Sequence, residues 1–177
     1  MYCMDIVRVG EKVISRRRIN QVVAEMLQLR AGGLSQTEVA HRLGVDRTLV
    51  CRLESLGEIR KGRRVAVVGF PIQNKAELTA ALSKEGVDFT LLMTEAERWE
   101  FVRRNSGVDL LNTLMDLIAR AHSFDQVVVI GSNKRIKIIE AVLDKEVVGY
   151  EIGESPIQED KYVDPGEIVS LVRAVKQ

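Results

Sequence analysis

Apolar residues at Ile19, Val22, Val23, Met26 and Leu27 fall at the i, i+3, i+4 spacing of one helix face. That pattern predicts a helix starting near Ser15 with a buried apolar stripe, stopped by Ala31-Gly32-Gly33. Two shorter helical segments follow, divided at Gly44. In the first third of the chain only the Ile6-Val7 stretch reads as strand. A polar, basic stretch, RKGRR (Arg60 to Arg64), then reads as a linker.

Beyond the linker the texture changes. Val65 to Phe70 is a continuous apolar run of strand length, ended by Gly69 and Pro71. Further strands are predicted over 87–93, 126–130 and 147–152, that over 126–130 being ended by Gly131-Ser132-Asn133. Helices are predicted over 74–86, 94–105, 107–121, 133–145 and 164–176. Short unbroken apolar strands alternating with helices indicate a parallel sheet covered on both faces. Right-handed crossovers then give the strand order 2-1-3-4 most simply. The expected fold class is α plus α/β: a helical domain over 1–59, a linker over 60–64, and a small Rossmann-like domain over 65–177.

Within the first domain, Ser35 with Glu38 makes a capping box. Val39, Ala40 and Leu43 form a buried stripe, and Gly44 supplies the left-handed turn. Asp46 is a good N-cap for the next helix. At about 100° per residue, Val45, Leu49, Val50, Leu53 and Leu56 fall on one side of that helix. Arg47, Thr48, Cys51, Arg52 and Ser55 fall on the other, a short cationic face without an acid. Such a face suits a DNA major groove, where arginine reads guanine edges and small side chains contact phosphate or thymine methyls.

The stretch 35–57 resembles the helix-turn-helix of the Cro and phage-repressor superfamily, in the form found in bacterial regulators. Ala40 matches the family's small residue, Gly44 its turn glycine, and Val45, Val50 and Leu53 its buried positions. The likeness spans roughly residues 15–60. It implies double-stranded DNA as partner and places Gln36 and Thr37 near phosphate. Cys51 departs from the pattern, which commonly has serine there.

Charge sharpens this division. Residues 1–64 hold 13 Lys and Arg against 7 Asp and Glu, whereas residues 65–177 hold 13 against 18. A basic first third suits a polyanionic partner. Two cysteines without ligand spacing, and no apolar run near membrane length, point to a cytoplasmic protein without membrane association.

In the α/β half, ligands are expected where the chain reverses between the first and third strands, outside their carboxyl ends. Gly69, Phe70, Gly131, Ser132 and Asn133 flank that crevice and are the candidate residues for a small-molecule effector. No dinucleotide fingerprint, P-loop or hydrolase motif is present, so neither an enzyme nor a cofactor is expected. The alternative is a nucleotide-binding protein or enzyme with an accessory nucleic-acid-binding helical domain. The helix over 107–121 is apolar on more than one face, so it is either fully buried in the domain, the default, or also faces a partner subunit; a homodimer is expected.

Overall fold

The computed structural model describes residues 5–58, 61–145 and 147–176. The chain divides into two compact units, Met1–Glu58 and Ile59–Gln177. Cys3, the domain boundary at residue 59 and the first linker residue, Arg60, lie outside the described residues.

Unit 1 opens with a hairpin, β1 (Ile6–Val9) and β2 (Lys12–Ser15), paired antiparallel with Val9 opposite Lys12. Only the first half of it was expected from the sequence. Gly10, at φ +60°, makes the tight two-residue turn that returns the chain. Three helices follow: α1 (Arg16–Ala31), α2 (Gln36–Leu43) and α3 (Arg47–Gly57). Ser15 caps α1 by accepting the Arg18 N–H at 3.2 Å. Asp5 braces this start, accepting the Ser15 hydroxyl and the Arg17 N–H, both at 2.7 Å. Met26, Val39, Ala40 and Val50 form the core of the unit, with Leu29, Leu34, Leu43, Val45 and Leu53 packed around them.

The apolar stripe of α1 is not buried as a whole. Met26 is enclosed, but Ile19 is 51% exposed and Val22 and Leu27 are also open. Within the unit Ile19, Val22 and Met26 join Val13, Ile14 and Leu49 in lining an apolar groove of about 500 Å³. Leu49 and Leu56, expected to be buried with Val50, are 45% and 82% exposed. The three-helix core is too small to cover them, so helical periodicity overstated the buried face.

Unit 2 is a mixed α/β layer structure. Its elements run β3 (Val65–Gly69), α4 (Lys75–Lys84), β4 (Phe89–Leu92), α5 (Glu95–Arg104), α6 (Gly107–His122), β5 (Gln126–Ser132), α7 (Asn133–Leu143), β6 (Val148–Gly153) and α8 (Pro165–Val175). The sheet is parallel in the order β4-β3-β5-β6, which is the expected 2-1-3-4. Side chains alternate between its faces. Val65, Val67, Val128 and Ile130 join Leu78 and Leu82 of α4 and Ile168 and Val172 of α8. Ala66, Val127 and Val129 lie on the other face with Ile118 and Ala121 of α6 and Ile136 and Ile139 of α7. Phe89 and Phe124 stack there at 5.7 Å, with Arg120 and Arg64 over their outer faces.

Part of the expected linker belongs to this unit. Gly62 bridges to Lys176, and Asp125 accepts the N–H groups of Arg63 and Arg64, both at 2.9 Å. These two bonds, that from Arg64 foremost, hold the Asp125 carboxyl below its ordinary pKa. Among the described residues, no helix is long and apolar enough to cross a membrane.

A Cβ on Gly62 would stand 2.3 Å from the Cβ of Asp125. Gly62→Ala is therefore expected to destabilise unit 2 by about 1–3 kcal/mol, the usual cost of overpacking, read by denaturant unfolding. An unchanged midpoint would mean that this junction yields freely.

Candidate functional site

The α2–turn–α3 segment is built from local rules that agree with one another. Ser35 accepts the Glu38 N–H at 3.2 Å, and the Glu38 carboxylate accepts the Ser35 N–H at 2.7 Å. Gly44 ends α2 in the left-handed region at φ +65°, while the Val45 N–H bonds back to the Ala40 carbonyl at 3.0 Å. Asp46 then caps α3, accepting the Thr48 N–H at 2.6 Å. The Thr48 hydroxyl and N–H together hold the Asp46 carboxyl below its ordinary pKa.

These constraints fix which side of α3 faces outward. Val50 is fully buried, whereas Arg47, Thr48, Cys51, Arg52 and Ser55 are all exposed on the face opposite. Cys51 is a free thiol, and the Ser55 hydroxyl is turned back onto the Cys51 carbonyl at 3.0 Å. The one acid within α3, Glu54, is half-buried and engaged elsewhere. It pairs with Arg30 and accepts the Gln36 amide at 2.8 Å, and these bonds keep its pKa low.

Gln36 and Thr37 both sit in the first turn of α2. Thr37 is exposed, while Gln36 is half-buried and directs its side chain to Glu54. No local pattern announces the Arg30–Glu54–Gln36 cluster, because Glu54 lies 24 and 18 residues from its two partners.

The crevice residues of unit 2 separate into different roles. Gly69 is buried in β3, and a Cβ there would meet Ile130 and Leu92 at 3.0 Å, so it serves sheet packing. Gly131 and Ser132, expected in a loop, extend β5 with an irregularity between them. The helix α7 starts directly from the strand end, leaving no loop between them. Ser132 is completely buried, and its hydroxyl has no hydrogen-bond partner. The Asn133 carboxamide oxygen accepts the Lys134 N–H at 2.7 Å and the Ser155 N–H at 3.2 Å. Phe70 is half-buried and lies beneath the guanidinium of Arg135 at 4.6 Å. Arg135 was not anticipated from the sequence. Its signal was two cations in the first turn of a helix, the end that disfavours them.

Comparison with known proteins adds no relative: no family model, curated protein or solved structure matches the chain.

Two measurements test the local construction. Gly44→Ala must hold a side chain in the left-handed region and is expected to cost about 1–2 kcal/mol in unit 1, with Gly44→Asn milder. For the Asp46 cap, Asp46→Ala is expected to speed amide exchange at Thr48. A carboxyl whose folded pKa is depressed stabilises above its unfolded pKa and stops doing so as pH falls through the folded value. The gap between Asp46→Ala and the parent should therefore be full at neutral pH and close in acid. A gap that does not narrow as the pH falls into the acid range would show that the carboxylate is not responsible.

Proposed function

We propose that the chain is a sequence-specific DNA-binding regulator with a helix-turn-helix of the Cro and phage-repressor type. In this reading α3 enters the major groove and α2 lies near the phosphate backbone. The observation that carries it is the outward face of α3. Arg47, Thr48, Cys51 and Arg52 are exposed together, and the neighbouring acids are taken up by caps and by Arg30. Arginine supplies bidentate base contacts, and Thr48 and Thr37 are short enough for phosphate or methyl contacts. Gln36 serves through its position at the start of α2, since its amide is engaged with Glu54.

The α/β unit is the regulatory half of this reading, sensing a small molecule and joining two copies of the chain. The joining surface is α6. Its 16 residues include none that is fully buried, although its inner side packs against the sheet. Val108, Leu111, Leu114 and Met115 are each more than half exposed, and Ile138 on the adjoining α7 is 61% exposed. An apolar surface of this extent marks an interaction site. A second copy is the natural occupant, because one helix-turn-helix reads few base pairs and twofold dimers read two half-sites.

Selection of binding sites from random duplex DNA, followed by fluorescence anisotropy, tests the DNA reading. Arg47→Ala and Arg52→Ala are expected each to weaken specific binding by about 1–3 kcal/mol, with unit 1 still folded. A double variant that binds as well as the parent would overturn it. Sedimentation at micromolar concentration is expected to show a dimer for the parent and a folded monomer for Leu111→Glu with Met115→Glu. A monomeric parent, with and without DNA, would remove α6 from this role.

A further inference from the structure

The carboxyl ends of β3 and β5 hold a positive charge that the fold leaves uncompensated. α7 opens on Asn133-Lys134-Arg135, with two cations and no acid in its first turn. The partial positive charge of a helix N-terminus makes this arrangement unfavourable. In contrast, α4, α5, α6 and α8 each carry an acid in the first turn.

Arg135 is also drawn inward. Its Nη1 donates to the Phe70 carbonyl at 3.3 Å, and its guanidinium covers the Phe70 ring. Among the described residues no carboxylate forms an ion pair with it. Burial, and then repulsion from Arg98, lower its pKa, against which Glu95 acts in the other direction. But Glu95 is already occupied, accepting Arg98 Nε at 3.1 Å and Trp99 Nε1 at 3.0 Å. Of these two half-buried guanidiniums, only that of Arg98 is paired with the carboxylate. At the N-cap of α7 the Ser132 hydroxyl is fully buried and unpartnered, without capping the helix.

We infer that this crevice binds an oxyanion, the phosphate or carboxylate group of a small molecule, with Arg135 as its main ligand. The planar fork of arginine matches either group bidentately, and the start of α7 adds backbone N–H donors. Arg98 contributes charge from α5. The position, between β3 and β5 where the order of strands reverses, is where open α/β sheets receive ligands. This deepens the reading of the α/β unit as a sensor and rests on it for its purpose, but not for its chemistry.

Calorimetry on the full chain at constant ionic strength, with inorganic phosphate, pyrophosphate and citrate as separate probes, tests the site. Saturable binding of at least one probe is expected, weakened at least tenfold by Arg135→Gln and less by Arg135→Lys. Arg173→Gln, on an exposed ion pair with Glu85, is expected to leave it unchanged. Preference for the phosphates or for citrate identifies the group recognised. Far-UV circular dichroism confirms that each variant is folded, and Arg135→Lys serves if Arg135→Gln is not. No saturable binding by any probe at about 10 mM, well above a millimolar Kd, overturns the inference. So does equal binding by the folded Arg135 variants. Repeating the DNA titration with the bound probe separates the two readings. An anion that binds through Arg135 without moving DNA affinity keeps the site and removes its role as the sensor.

Discussion

Burial of β3 and β5 on both faces is the constraint on which unit 2 depends. Each is paired along both edges, and β5 is buried at every position from Gln126 to Ser132. Polar side chains are disfavoured along the middle of a strand so placed, which is why 65–69 and 127–131 read as unbroken runs without polar side chains. It also requires a helical layer on each side. One layer, α4 and α8, is closed by fully buried Leu78, Leu82, Ile168 and Val172. The other is less complete. Of α7 only Leu143 is fully buried, and of α6 no residue is. The sheet is thus sealed from one side and covered from the other by helices that remain apolar outside.

The smaller unit depends on a different economy. Its core centres on four buried residues, Met26, Val39, Ala40 and Val50, so orientation comes from helix ends as much as from packing. Ser15, Ser35 and Asp46 cap three successive helices, and Gly44 sets the turn between the last two. Each cap satisfies backbone donors that would otherwise be orphaned. Each carboxylate used for this purpose is also held in its charged form. Asp5, Glu38 and Asp46 all have lowered pKa values because they accept hydrogen bonds within the unit. The same bonds that hold the helices therefore direct these acids at backbone donors rather than at the arginines of the exposed face.

The features legible in the sequence were those encoded by neighbours along the chain. The capping box at Ser35, the turn at Gly44 and the Asp46 cap depend on residues within a few positions, and the strands of the sheet on continuous apolar runs. Their order followed from the handedness of crossovers. What was not legible depended on distant residues or on the amount of material available for burial. The α1 stripe has the right period, yet the unit has too little core to enclose Ile19 or Leu27. Gly69 looks like a ligand-approach glycine until Ile130 and Leu92 are found against it. Gly131-Ser132 reads as a loop because glycine and serine are common there, but pairing with β6 keeps both residues in the strand. The Phe70–Arg135 contact joins residues 65 apart, and no local pattern could announce it.

The charge asymmetry that first separated the halves of the chain has a different origin from the α3 face. Residues 5–58 hold nine Lys and Arg against seven Asp and Glu. Four of the excess charges of the first 64 residues come instead from Arg60, Lys61, Arg63 and Arg64. Net charge at that junction can attract any polyanion through counterion release, without regard to sequence. In the DNA reading proposed above, selection between sequences requires donors fixed in direction, and the arginines of α3, whose opposite side is locked by Val50, would supply them. Affinity and specificity would then reside in different segments. The basic stretch would set the salt dependence of binding, and α3 the choice of base pairs.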